Sequence, residues 1–179
     1  MDDVHARLVA TLAAEFSDLA DVEHATRALA RLLMAVLLCG LIGWERERGD
    51  KTAGLRTHIL VGLGAAIVVL APAMSGADHD SLSRVVQGIV AGVGFLGAGA
   101  ILKHDNLGQV RGLTTAASIW ASAAIGITVG MGLHTTAIAA AVMVMAVLRG
   151  LMPVERYINA RQRGLRQRRG QPPADDRRS

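Results

Sequence analysis

Gly43-Trp-Glu-Arg-Glu-Arg-Gly-Asp-Lys-Thr-Ala-Gly-Leu-Arg-Thr-His58 is the stretch whose reading decides the fold. It is densely charged, and it lies between runs almost free of ionisable groups. These are Ala28 to Ile42, where Arg31 is the exception, and Ile59 to Ala73. Each flanking run is apolar enough to cross a bilayer. Burying the charges between them in hydrocarbon would cost several kcal/mol apiece. The stretch is therefore a hairpin held at a membrane surface, with the polar chemistry at one face.

Composition agrees. Of 179 residues, 51% are hydrophobic and 19% charged, below the roughly one-quarter charged of soluble domains. The charges come in short blocks rather than along amphipathic faces, as in membrane proteins. The net charge of +4 hides an asymmetry. Asp2, Asp3, Glu15, Asp18, Asp21 and Glu23 make the beginning acidic, while Arg156, Arg161, Arg163, Arg166, Arg168 and Arg169 make the tail basic. Arginines next to a last span mark a cytoplasmic end, a better account of this tail than nucleic-acid binding. The single cysteine, Cys39, cannot form an internal disulfide. Asp2 and Asp3 stand where a signal peptide would be positive, so the first apolar segment reads as a retained span.

Five runs nearly free of charge, with Arg27 and Arg31 in the first and Arg149 in the last, approach the length needed to cross hydrocarbon: Ala25 to Trp44, Thr57 to Met74, Val85 to Leu102, Leu113 to Val129 and Thr135 to Met152. Spans in lipid must satisfy their own backbone groups, which predicts an all-α, polytopic membrane protein. The predicted organisation is an acidic amphipathic segment (1–24), a transmembrane domain (25–152) and a basic, disordered cytoplasmic tail (153–179). In the first segment Val4, Leu8, Leu12 and Phe16 recur at helical spacing. Arg46, Arg48, Lys51 and Arg56, then Lys103 and Arg111, then the tail all fall on one side of a five-span chain. That pattern predicts the N-terminus outside and the C-terminus in the cytoplasm.

Glycine crowds the third span, where Gly88 and Gly92 make a small-xxx-small pair, Gly99 continues that stripe, and Gly94 and Gly97 mark another face. Small residues let helices approach closely, so these five are expected at helix–helix contacts, within one chain or in a homo-oligomer. Ala116, Ala117, Ser118, Ala121, Ser122 and Gly126 give the fourth span a similar character. Gly54-Leu-Arg-Thr57 and Gly112-Leu-Thr-Thr115 each open a span, hinting at a parallel repeat.

Both openings would bring a helix N-terminus to the charged face. Arg56 and Arg111 add positive charge there, and Thr57, Thr114 and Thr115 add hydroxyls. Glu45, Arg46 and Glu47 lie opposite, at the end of span one, with His58 in the same neighbourhood. A pair between Glu45 and Arg56, with Arg111 close by, is the expected functional core. Arg48, Lys51 and Lys103 read as topology-setting anchors. His58 and His104, isolated in sequence, read as surface groups more readily than as catalytic ones.

Four ordered motifs carry a family resemblance: Gly-Leu-Ile-Gly-Trp-Glu-Arg-Glu (Gly40 to Glu47), Ala-Gly-Leu-Arg-Thr-His (Ala53 to His58), Gly-Phe-Leu-Gly-Ala-Gly-Ala (Gly94 to Ala100) and Arg-Gly-Leu-Thr-Thr-Ala-Ala (Arg111 to Ala117). Together they resemble the MgtC/SapB family of bacterial inner-membrane proteins, over roughly Arg31 to Arg149. The resemblance implies a domain of about five spans and a role in adaptation to low Mg2+ or stress, with a part in virulence for some relatives. It implies no ATPase chemistry. MgtC itself has a folded cytoplasmic domain after its last span, so this chain resembles the shorter SapB-like type.

No Asp or Glu lies within spans two to five as placed here, and Mg2+ prefers oxygen ligands, commonly carboxylates. No P-loop, zinc-ligand spacing or serine-nucleophile motif appears. Neither cofactor, metal nor enzymatic activity is expected. The expected function is binding or modulating another membrane protein, within the lipid bilayer and without nucleic acid. The alternative is a small ion transporter handling Mg2+.

Overall fold

The computed structural model describes residues 2–15, 22–49, 51–102 and 112–151. Every regular element among them is a helix: α1 (Asp2–Glu15), α2 (Val22–Arg48), α3 (Leu55–Met74), α4 (His79–Leu102), α5 (Leu113–Gly130) and α6 (His134–Gly150). Four of these, α2 to α5, are long and apolar enough to cross a membrane, whereas α6 is apolar but shorter, at 17 residues. This is a multi-pass, all-helical architecture. The helices lie within a few residues of the runs read from sequence, except that α2 continues through the charged motif to Arg48 and α4 begins earlier, at His79. The chain forms two compact units, residues 1–141 and 142–179. In the second, the described part is the C-terminal portion of α6 and Leu151. The basic tail from residue 153 and Phe16 of the N-terminal stripe lie outside the described residues.

In the first unit, α3 packs chiefly on α2 and α5, and α4 packs on α5. Small residues explain why. Ala35, Cys39 and Gly43 repeat every four positions along α2, and all are buried. Gly62 and Ala66 on α3 face Ser122, Gly126 and Gly130 on α5. A Cβ on Gly126 would collide with the Gly62 backbone, and one on Gly130 would lie 2.8 Å from the Ala66 carbonyl oxygen. A Cβ on Gly43 would come within 2.7 Å of the Leu55 Cα. Backbone therefore meets backbone along the α3–α5 crossing, and any side chain there would force the helices apart.

The glycines of α4 behave otherwise. A Cβ on Gly88, Gly92, Gly94 or Gly99 would meet nothing within 4 Å, and only Gly97 has a neighbour, the Ala116 Cβ at 3.6 Å. Within one chain, Gly97 lies at a helix contact and the other four face no described neighbour, which leaves the homo-oligomer contact as the expectation for them. α4 turns only a narrow strip, including Val93 and Gly97, toward its neighbours, and Phe95 is 81% exposed.

Helix ends fix the register. Gly112 opens α5 with φ of 92°, in the left-handed region that suits glycine. A Cβ there would also lie 2.6 Å from the Ala100 carbonyl oxygen. At the other end of α5, Arg31 donates from Nη1 to the Gly130 carbonyl at 2.8 Å, a cation on the negative end of the helix dipole. Asp78 accepts from the Ser81 amide at 3.0 Å and starts α4. Hydrogen bonding from Ser81, side chain and backbone, holds the Asp78 carboxyl below its ordinary range.

Candidate functional site

α3 and α5 run parallel, as the pairs His58 with Ser118, Gly62 with Gly126 and Ala66 with Gly130 require. Their two N-termini thus open at the same end of the bundle, where their partial positive charges add. α2 is antiparallel to both and brings its charged C-terminal turn to that end. The sequence motifs meet there in space.

The centre of the site is Arg46, which is only 7% exposed. It stands on the α2 face that also carries Ala35, Cys39, Ile42 and Gly43. From there its Nη2 donates to the Thr115 hydroxyl on α5 at 3.2 Å. Thr115 is itself buried, as are Ser118 and Ser122 farther along the same face of α5. On α3, His58 is 0% exposed. Its Nδ1 lies 2.8 Å from the Gly54 carbonyl, and its Nε2 lies 3.1 Å from the Ser118 hydroxyl. Ser118 Oγ lies 2.9 Å from the Thr115 carbonyl. Polar contacts therefore run from Gly54 through His58 and Ser118 to the Thr115 carbonyl, and Arg46 meets the same residue at its hydroxyl, so that three helices are joined. Deeper in the bundle the Cys39 thiol donates to the Ser122 carbonyl at 3.5 Å.

Glu47 has a separate task. Its Oε2 accepts the Leu55 amide at 2.6 Å, placing a carboxylate on the positive end of α3. Gly54 makes room for it, since a Cβ at that position would overlap the Glu47 carboxylate. At α5 the residue before the helix, Gly112, offers no capping side chain. The two openings share a glycine start and differ in what covers it.

The residues singled out from sequence therefore divide. Arg46, His58 and Thr115 come together in the buried cluster, and Glu47 lies beside it as the cap of α3. Glu45 is half-buried on the same turn of α2, while Arg56, Thr57 and Thr114 are exposed. The expected Glu45–Arg56 pair is not built: Arg56 points away from the packed face and α2 supplies the buried cation itself. Arg111, Lys103 and His104 fall outside the described residues. His58, read as a surface group, is instead fully buried, because Gly43 admits the first turn of α3 against α2. Ser118 is the site residue that sequence reasoning misses. Its place in the Thr115, Ser118, Ser122 stripe was the available signal.

At the outer edge of the same turn, the Arg48 guanidinium lies 5.4 Å from the centre of the Trp44 ring, and both side chains are exposed. This cation–π pair has the chemistry of a membrane-interface anchor. Among the described residues no group of three or more His, Cys, Asp or Glu side chains is placed to hold a metal ion.

The sequence profile of the MgtC family matches residues 32–157. The chain is 41% identical to SrpB of Synechococcus elongatus over 143 residues, which is 74% of this chain and 79% of SrpB. It is 47% identical to MgtC of Brucella abortus over 125 residues, 70% of this chain and 51% of that protein. A third relative, named "Putative magnesium transporter YhiD" in Escherichia coli K12, is 43% identical over 127 residues, 67% of this chain and 58% of its own length. The chain thus spans little more than half the length of the latter two. No solved structure matches it.

Proposed function

The chain belongs to the MgtC family, and on that premise we propose that it works in the bacterial inner membrane by binding or modulating another membrane protein during adaptation to low Mg2+ or stress. The names of two relatives, MgtC and a magnesium transporter, support the link to Mg2+. The buried cluster around Arg46 is the centre of that activity, and the basic loops favour a cytoplasmic position for it, with the N-terminus outside. The observation that carries this reading is a cation almost fully buried at a helix end and hydrogen-bonded to a helix three elements further along the chain. Topology needs charge at the interface, but it does not need that charge buried. A buried guanidinium fixes the relative position of α2 and α5 and gives that face one defined shape for a partner to recognise. An enzymatic role has no support from the residues brought together here.

Transport of Mg2+ is the second reading, and the YhiD name is what favours it. Against it stands the absence of Asp and Glu from α3, α5 and the part of α4 beyond Asp80. Growth in low Mg2+, in a host lacking its own family member, tests the first reading. Arg46→Gln and Thr115→Val should abolish rescue with the protein still inserted, whereas Arg48→Gln and Lys51→Gln should rescue fully. Equal behaviour of all four would reduce the cluster to a topology anchor. Saturable Mg2+ uptake by the purified chain in liposomes would decide for transport.

A further inference from the structure

His58 is a titratable group with no part in the partner reading above, and the hydrogens around its ring can be counted. The Gly54 carbonyl only accepts, so Nδ1 carries a hydrogen and donates to it. Ser118 has one hydroxyl hydrogen and two neighbours that can receive it: the Thr115 carbonyl and the Nε2 of a neutral imidazole. With the ring neutral, that hydrogen satisfies Nε2. With a second proton on the ring, Nε2–H donates to Ser118 Oγ, and the hydroxyl turns its hydrogen to the Thr115 carbonyl. Both protonation states are fully hydrogen-bonded with the same heavy-atom positions, and one hydroxyl rotation separates them.

We propose that His58 is a proton-binding site inside the bundle, its second proton received by the Ser118 hydroxyl and its charge felt by Arg46, which holds the side chain of Thr115 one turn away on α5. Among the described residues the charged and titratable groups around it are few. α2 presents Arg46, with Glu45 and Glu47 on the same turns and the Cys39 thiol deeper in the bundle. α5 presents only the hydroxyls of Thr115 and Ser118. On α3 itself Arg56 is exposed, and the titratable groups of α4, His79, Asp80 and Arg84, lie at its other end. No described carboxylate hydrogen-bonds to the ring. A proton on His58 therefore adds a second positive charge to the cluster that holds Arg46, and like charges at close range repel. The imidazole has little room to swing away, because α2 at Gly43 closes on it: a Cβ there would lie 3.1 Å from the His58 Cβ. We assign the response to the contact between Arg46 and Thr115. Acidification would then loosen the tie between α2 and α5 at this end.

This inference rests on the geometry of the ring and not on the identity of any partner. It is tested by nitrogen NMR of the full chain in lipid nanodiscs, with 15N-labelled histidine and site-specific assignment, titrated from about pH 8 to about pH 4.5 around the ordinary histidine range. The expected result is a neutral ring protonated on Nδ1 at high pH, converting to a doubly protonated ring on acidification. Ser118→Ala should shift the midpoint, because the hydroxyl bonds the charged and the neutral ring unequally, and Ser122→Ala should leave it in place. A neutral ring protonated on Nε2, a ring that never takes the second proton, or a midpoint indifferent to Ser118→Ala would overturn the proposal. If Ser118→Ala does not insert, the tautomer of the unaltered protein decides alone. Such a failure would leave the partner reading standing, since that reading depends on growth with Arg46 and Thr115 altered.

Discussion

α4 and α5 are both rich in small residues, yet they use them in opposite ways. On α5, Gly126 and Gly130 press against α3 so closely that a single methyl group would strike backbone. On α4, Gly88, Gly92, Gly94 and Gly99 have open space where a side chain would be. The difference lies in the partner. Gly126 and Gly130 meet Gly62 and Ala66, small residues at the same spacing on a parallel helix, so two bare surfaces coincide. The α4 glycines find no such surface among the described residues. A count of glycines does not locate a membrane-helix interface; two matching stripes do.

The largest effect expected from this contrast is at Gly126. Gly126→Leu would force α3 and α5 apart, at a cost of about 3 kcal/mol or more, seen as a fall in melting midpoint on the order of 10 °C in detergent or as failure to purify. A melting curve like that of the unaltered protein would show that the α3–α5 crossing is not as tight as described.

A smaller effect is expected at the mouth of the site, where Glu47 caps α3 and no described side chain is seen to cap α5. Glu47→Ala removes the carboxylate from the Leu55 amide and should cost about 1 kcal/mol. Amide exchange in the first turn of α3 should then rise about fivefold, while the first turn of α5 stays unchanged. Equal acceleration at both helix starts would mean that Glu47 supports the whole face rather than one helix end.

Least is expected at Gly92. With nothing within reach of a Cβ, Gly92→Leu should change stability by no more than about 0.5 kcal/mol. A loss comparable to that of Gly126→Leu would show that another molecule, such as a second copy of the chain, covers this face of α4.

The same contrast explains what the sequence made legible. Apolar runs of bilayer length sufficed for the helices, and the glycines at positions 54 and 112 suffice for the starts of α3 and α5. The charged hairpin pointed to the right end of the bundle. Which of its charges is buried depends on helical phase, and there charge pairing misled. Arg56 follows the Gly54 helix start on an open face. Arg46 falls on the stripe of Ala35, Cys39 and Gly43, and His58 on that of Gly62 and Ala66. Reading those stripes to their polar ends would have selected Arg46 and His58 over Glu45 and Arg56. The α4 glycines show the other half of that reading: their stripe is visible, and no described helix of the same chain carries a matching one.

The central claim is that Arg46 and Thr115 tie α2 to α5 at the membrane face. A double-mutant cycle of Arg46→Gln and Thr115→Val, read by reversible unfolding in detergent or bicelles, measures that tie directly. A hydrogen bond to a buried charge should appear as a coupling of about 1.5 to 3 kcal/mol, with the two losses far from additive. Losses that add to within about 0.5 kcal/mol would mean that the two side chains are neighbours without being partners, and would contradict the account.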